Sequence, residues 1–324
     1  MAKINRIGVL TSGGDAPGMN SCIRAVARTA LFNGCQVYGI REGFVGLLRG
    51  DMLPLAPRDV GGIIQRGGTM LGTARSEDFY EEKGQLEGVR MLSENAIDAL
   101  VVIGGDGSMR GARALAAKGV QVVGIPASID NDMWGTNMAI GVDTALNTLS
   151  DAIDKLRDTA SSHRRAFLIE TMGRNCGYLA LVAGVIGGAE VILIPEAEMT
   201  IAEVAGKVED AYKRGKTHSI VIVSEGASIR TTDLSKALDA MKVGFTTRVT
   251  ILGHIQRGGR PSAFDRLLAT RLGVKAVDGL LAGHSDVMYG LSGRAIEPVP
   301  LSEVVSRQRE ANLEYYEMAK MLAF

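Results

Sequence analysis

The residues of this chain best suited to chemistry are a few carboxylates and arginines set beside glycine-rich turns. Asp106 lies in Ile103-Gly-Gly-Asp-Gly-Ser108, directly after an apolar run. Glycines there let the backbone approach phosphates closely, and the carboxylate can hold a magnesium ion that bridges them. Asp130 and Asp132 stand two residues apart in Pro126-Ala-Ser-Ile-Asp-Asn-Asp132. One can take a proton from an attacking hydroxyl while the other serves a metal or orients its neighbour. An Asx-rich loop that only satisfies its own backbone is the plainer alternative. A third segment, Gly8-Val-Leu-Thr-Ser-Gly-Gly-Asp-Ala-Pro-Gly-Met-Asn20, predicts a strand, a glycine turn and a helix with Pro17 in its first turn. Amides at such a helix N-terminus, with its dipole, form an anion site without a lysine. A turn that merely joins strand to helix fits the same residues.

Arginine's planar fork suits phosphate. Arg75, Arg165, Arg174, Arg248 and Arg257 all lie at or near glycine-rich segments, although any one of them alone reads as a solvated charge. Lys+Arg 36 balance Asp+Glu 36, so no basic excess points to nucleic acid or an anionic membrane. An anionic ligand must be met by locally clustered arginines. The chain has no G-x-x-x-x-G-K-[ST] segment and no G-x-G-x-x-G segment, which argues against a Walker site and against dinucleotide binding.

Short apolar runs must position these residues: Ile7–Leu10, Ala99–Ile103, Val120–Ile125, Phe167–Ile169, Val191–Ile194 and Ser219–Val223. Several are apolar throughout, as strands buried on both faces of a parallel sheet are. Helical patterns alternate with them. Thr200 and Glu203 have capping-box spacing before Val204, Val208, Ala211 and Tyr212. Asp143 is placed to cap a helix carrying Leu146, Leu149, Ile153 and Leu156, and Ser262 with Asp265 opens one carrying Leu268, Leu272 and Leu280. The class is α/β with two doubly wound, mostly parallel sheet domains facing across an active-site cleft, since open sheets bind ligands at their carboxyl ends. The 324 residues suit two domains, and 41 glycines among them, about 13% against a usual ~7%, suit many tight turns. Three scattered cysteines, an N-terminus without a signal-peptide pattern and no apolar stretch long enough to span a bilayer lead us to expect a soluble cytoplasmic protein.

Together the segments resemble the bacterial ATP-dependent 6-phosphofructokinases over nearly the whole chain. Gly-Gly-Asp-Gly alone is shared with NAD kinases and diacylglycerol kinases. The specific match is the ordered set of Thr11-Ser-Gly-Gly-Asp-Ala-Pro-Gly-Met-Asn20, Gly104–Ser108, Ile129–Asp132, Arg157–His163, Met172-Gly-Arg174 and Gly253-His-Ile-Gln-Arg-Gly-Gly259. The resemblance implies that Asp130 is the base for the sugar 1-hydroxyl, beside Ser128 and Asp132, and that Asp106 binds Mg2+. It implies that Gly14, Arg75, Ser76, Gly105, Gly107 and Ser108 hold ATP, with Arg75 and Arg174 near the transferring phosphoryl. Fructose 6-phosphate is expected at Arg165, Met172, Gly173, Glu225, Arg248, His254 and Arg257. The resemblance further implies a homotetramer in which Arg165 and Arg248 come from the adjacent subunit. It implies a nucleotide domain of 1–141 plus about 256–306 and a sugar-phosphate domain of about 142–255 plus 307–324.

Arg24 and Arg28 lie four apart on one helix, where like charges repel by a few tenths of a kcal/mol. By the resemblance they join Arg157, Glu190, Arg214, Lys216 and His218 in an effector site for ADP as activator and phosphoenolpyruvate as inhibitor. Thr217 replaces a basic residue common in relatives. At the donor loop Gly107 matches ATP users, where pyrophosphate users carry aspartate. Ala127 stands where ATP users have glycine and pyrophosphate users lysine, and Ser128 replaces threonine. A pyrophosphate-dependent phosphofructokinase and a non-catalytic regulatory subunit are the alternatives.

Overall fold

The computed structural model describes residues 4–323, so Met-Ala-Lys at the start of the N-terminal reading lies outside the described residues. The elements run β1 (Arg6–Ser12), α1 (Met19–Phe32), β2 (Gln36–Ile40), α2 (Phe44–Arg49), β3 (Met52–Pro54), α3 (Glu82–Glu94), β4 (Ala99–Gly104), α4 (Asp106–Ala116) and β5 (Gln121–Pro126). They continue with α5 (Val142–His163), β6 (Arg165–Thr171), α6 (Tyr178–Ile186), β7 (Val191–Leu193), α7 (Ile201–Lys213), β8 (Ser219–Ser224), α8 (Thr231–Met241) and β9 (Thr246–Ile251). The last are α9 (Ala263–Leu281), β10 (Val287–Ser292), β11 (Ala295–Pro300), α10 (Leu301–Ser306) and α11 (Leu313–Leu322). The fold is mixed α/β with mostly parallel sheets, as the alternating patterns require.

The chain divides into two compact units. Unit 1 runs to Ile129 and adds Met133–Thr144 and Arg257–Gln308; unit 2 comprises Asp130–Asp132, Ala145–Gln256 and the chain from Arg309. Unit 1 holds a sheet ordered β11-β10-β5-β4-β1-β2-β3, and unit 2 one ordered β7-β8-β6-β9. The inner strands of unit 1 and all pairs of unit 2 are parallel, and only β3 and β11 pair antiparallel, at the edges. Those edges carry Pro54, Pro298 and Pro300, which lack an N–H and are tolerated where no inner ladder needs one. β4 and β8 are buried at every position, which is why their sequences show no polar alternation.

Each unit has its own core. Leu10, Ile40, Leu47, Leu100, Met109 and Leu115 pack together in unit 1, and Leu168, Val191, Val221, Leu234 and Leu238 in unit 2. Truncating one such leucine to alanine costs about 2–5 kcal/mol, so the sheets are rigid supports for the turns at their ends.

The local caps are partly as expected. Thr200 and Glu203 form the capping box of α7, and Ser262 accepts from Asp265 N at the start of α9. Tyr212 is half exposed rather than buried with the α7 stripe, its ring lying edge-on to Phe245 at 5.2 Å. Asp143 is not a cap: α5 begins at Val142, and the Asp143 carboxylate in its first turn accepts from Ser262 Oγ at 2.5 Å. Pro17 precedes α1, whose cap is Gly18 at φ +114°, so Gly13 and Gly14 form a separate turn ahead of the helix and its N-terminal amides. Among the described residues no helix is long and apolar enough to cross a membrane.

Candidate active site

In unit 1 the chain reverses its direction of travel across the sheet between β1 and β4, so the carboxyl ends of these two strands open a crevice, the usual ligand position in open α/β sheets. Ser12 pairs in register with Gly104 there. A side chain at Gly104 would collide with Ser108 Oγ and with the Ser12 carbonyl, so only glycine lets the two turns close up. Gly105 caps α4, which places Asp106 at its first position and Ser108 in its first turn. Ser108 Oγ is buried without a hydrogen-bond partner, lying 3.3 Å from where a Cβ on Gly13 would be. An oxygen of a bound phosphate would satisfy that hydroxyl. Gly107 is exposed, and a Cβ there would meet nothing within 4 Å.

Asp106 pairs with Arg110 one turn on, Nε to Oδ2 at 2.9 Å. No group of three or more His, Cys, Asp or Glu among the described residues could hold a metal by itself. The Asp106 carboxylate at the start of α4 is a hard oxygen donor of the kind magnesium takes beside nucleotide phosphates.

Buried polar groups tie the Arg75 segment to the same crevice. Asn20, 2% exposed, donates to the carbonyls of Arg66 and Gly67 and accepts from Met70 N at 2.7 Å. Thr11 Oγ1 bonds Thr69 Oγ1 and the Gly72 carbonyl, and Thr73 Oγ1 donates to the Gly13 carbonyl at 2.7 Å. Arg75 and Ser76 follow directly, with Arg75 exposed. Arg257 belongs to unit 1 and lies against the same glycine turn: a Cβ on Gly14 would stand 2.6 Å from its Nη1. Ser128 also lies beside the donor loop, its Cβ 3.6 Å from a Cβ position on Gly105. Its amide donates to the Ile140 carbonyl at 3.1 Å, while Ala127 N donates to the Gly104 carbonyl.

In unit 2 the carboxyl ends of β6, β8 and β9 lie side by side, with Thr171 in register with Ser224 and Glu170 with Ile251. The turns beyond them carry Met172-Gly173-Arg174, Glu225 and His254. Glu225 Oε1 accepts from the amides of Gly173 and Arg174 at 3.2 and 2.9 Å. Gln256, fully buried, accepts from Met172 N at 3.1 Å. Arg174 takes a positive φ of 51°, with its Nε 3.4 Å from Oδ2 of Asp130. Asp130 is 4% exposed, so the arginine compensates a carboxylate that burial would otherwise penalise. The Asp132 carbonyl accepts from Arg309 N at 3.0 Å. Cys176 beyond this turn is buried, which pushes its thiol up to about 12.

Arg165 is not brought to these residues. It opens β6, whose far end leads to Met172, and a strand of 7 residues places them about 20 Å apart at ~3.3 Å per residue. Arg248 lies on the neighbouring strand, paired with Phe167 and exposed.

A second constellation of unit 2 joins Arg157, Glu190, Lys216 and His218. Glu190, 8% exposed, accepts from Lys216 Nζ at 3.0 Å and from Ile220 N at 2.6 Å. Arg157 donates to the carbonyls of Gly187 and Gly188. Burial lowers the His218 pKa, Arg157 and Lys216 add to that, and Glu190 opposes it. Arg214 turns to the Ala323 carbonyl, while Arg24 and Arg28 lie on α1 in unit 1.

The family model described as phosphofructokinase matches residues 6–280. The chain belongs to the phosphofructokinase family. Two members described as ATP-dependent 6-phosphofructokinase are similar along their full length. The protein of Clostridioides difficile is 51% identical over 98% of this chain and 99% of its own. That of Natranaerobius thermophilus is 50% identical over 99% of this chain and all of its own. A solved structure of the family, Pichia pastoris phosphofructokinase in the T-state, superposes at a TM-score of 0.90 and 37% identity, covering 99% of this chain. This chain spans 36% of that longer one.

Asn20 and Arg110 in unit 1 and Gln256 in unit 2 hold clear positions beside these turns that the sequence alone does not mark. Asn20 and Gln256 lie inside quoted motifs, but a neutral amide carries no charge signature to mark it. Arg110 is concealed by its i,i+4 spacing from Asp106, which reads as ordinary helix-surface pairing.

Proposed function

We propose that this chain transfers the γ-phosphoryl group of ATP to the 1-hydroxyl of fructose 6-phosphate, giving fructose 1,6-bisphosphate and ADP. What carries the reading is the half-identity, over the whole chain, to relatives described as ATP-dependent 6-phosphofructokinases, joined to the intact Asp130–Arg174 pair. A non-catalytic subunit has no need of a buried carboxylate held next to an arginine. In an assay coupled to ADP release, the purified chain with Mg2+ and ATP turns over only when fructose 6-phosphate is added. ADP release independent of the sugar phosphate, or faster turnover with pyrophosphate, would overturn the reading.

Unit 1 serves as the nucleotide domain and unit 2 as the sugar-phosphate domain. Gly14, Gly105, Gly107 and Ser108 present backbone and hydroxyl groups to the phosphates, with Arg75 and Ser76 on the segment that Asn20 secures. Arg257, against Gly14, adds positive charge beside that turn. Magnesium, held by Asp106 and the nucleotide, neutralises phosphate charge when bound. Asp130 takes the proton of the attacking hydroxyl, and Arg174 stabilises charge on the transferring group, since phosphoryl transfer asks mainly for positioning and charge stabilisation. Gly173, Met172, Glu225 and His254 hold the sugar phosphate, together with Asp132 on the loop that carries Asp130.

The remote placement of Arg165 supports a sugar site completed by Arg165 and Arg248 of a neighbouring copy, hence the homotetramer. The cytosol is the compartment that fits a reaction between these soluble metabolites. The Arg157–Glu190–Lys216–His218 cluster, with Arg24, Arg28 and Arg214, serves ADP and phosphoenolpyruvate as effectors. Phosphoenolpyruvate titrated at subsaturating sugar phosphate inhibits wild type more than Arg24→Ala; identical curves would remove the site.

A further inference from the structure

Asp265 is fully buried, 0% exposed, at the third position of α9. Its Oδ1 accepts from Gly141 N at 2.9 Å, and its Oδ2 from Thr144 N at 2.8 Å and Thr144 Oγ1 at 2.5 Å. These amides open α5, so one carboxylate caps a helix that belongs to a distant part of the sequence. The favour is returned: Ser262 N, just before α9, donates to Thr144 Oγ1 at 2.9 Å, and Ser262 Oγ to Asp143. The positive ends of two helix dipoles meet here, and Asp143 with Asp265 supplies the negative charge between them. Desolvation raises the Asp265 pKa, with Asp143 adding to it and the Thr144 and Gly141 bonds opposing it. Retaining a buried carboxylate of this kind costs free energy unless its bonds are needed.

The bonds lead to the catalytic loop. Gly141, whose amide Asp265 holds, follows Ile140. The Ile140 amide donates to the Pro126 carbonyl at 3.0 Å, and its carbonyl accepts from Ser128 N at 3.1 Å. Ala127 and Ile140 form a parallel bridge. The same junction touches the glycine-turn side, because a Cβ on Gly18 would stand 2.6 Å from Ile140 Cγ2. The geometry points to Asp265 as the positioning residue for the Pro126–Asp130 loop: through Gly141 and Ile140 it fixes the backbone that carries Ser128 and, two residues on, Asp130. This rests on the phosphofructokinase reading of Asp130, and it touches no substrate itself.

Asp265→Asn keeps the shape but turns one acceptor into a donor facing an N–H. A misplacement of about 1 Å at the reacting groups costs up to ~10²-fold in rate. The expected result is therefore a fall in kcat of roughly 10- to 100-fold per active site, with the KM for ATP within about threefold of wild type. A merely structural defect would lower the fraction of active sites instead. The deciding readout is a double-mutant cycle on kcat. In an Asp130→Asn background the Asp265→Asn change costs less than about threefold, because the group it positions has lost its function. Should Asp265→Asn fail to fold, Thr144→Val, which removes the hydroxyl bonded to both Asp265 and Ser262, carries the same cycle with a smaller loss. Unchanged kcat in a folded variant, or fully additive losses in the cycle, would overturn the assignment of Asp265. Wild-type protein inactive with ATP and fructose 6-phosphate would instead overturn the reaction on which it rests.

Discussion

Asp130 and Arg174 form an ion pair with one buried and one exposed side chain. The Asp130 side chain is 5% exposed and that of Arg174 57%, which on the proposed function leaves the arginine free to follow a substrate phosphate while the carboxylate stays where the loop puts it. Asp130→Asn removes the carboxylate proposed to accept the proton, with little change in shape. Turnover should fall by about 10²–10⁴-fold, the usual worth of a general base, with fructose 6-phosphate binding changed far less. Steady-state kcat beside equilibrium binding checks this, and near-wild-type turnover would take the role from Asp130. Gly107 argues the donor at the same scale. Nothing lies within 4 Å of a Cβ there, so Gly107→Asp has room at its Cβ and is expected to act by its charge. It should raise the KM for ATP while leaving that for fructose 6-phosphate within about twofold, since a carboxylate beside phosphates repels them at short range. An unchanged KM for ATP would show that residue 107 does not face the donor.

Six strands and several helix openings were legible because their signals are local. β4 and β8 are apolar at positions buried on both faces, and the Thr200–Glu203 box reads from four residues. Pro17 and Asp143 misled because the helix starts at Met19 and Val142 are set by Gly18 in a left-handed conformation and by Asp265 more than 120 residues away. Strands β2, β9 and β10 lie outside the apolar runs, and so do the edge strands β3 and β11, whose prolines interrupt the pattern. The candidate site was readable where charge and glycine mark it, and unreadable where a neutral amide does the holding. Asn20 is the test of that element-level support. Asn20→Ala strips hydrogen bonds from Arg66, Gly67 and Met70, and each buried group left unpaired costs about 1–3 kcal/mol. The expected outcome is a lower melting temperature together with a KM for ATP raised more than that for fructose 6-phosphate. Equal changes in both would mean that the Arg66–Arg75 segment does not serve the nucleotide.

For the whole molecule, the position of Arg165 at the far end of β6 from Met172 supports the proposal that a neighbouring copy completes the sugar site. If one copy lends Arg165 to the Asp130 of another, two defective chains can repair each other. Co-expressed Arg165→Ala and Asp130→Asn chains should form mixed oligomers more active than the sum of the two separate variants, because some sites then receive an intact residue from each. Activity no greater than that sum would confine the sugar site to one chain. Effector control and donor choice both presuppose that the reaction itself is the one proposed, and phosphorus NMR reads it directly. With Mg2+, ATP and fructose 6-phosphate, the purified protein should produce ADP and a second sugar phosphomonoester signal, coupled to the protons at carbon 1, in equal amounts. Inorganic phosphate in place of that signal, or a phosphate coupled to any other carbon, would contradict the account.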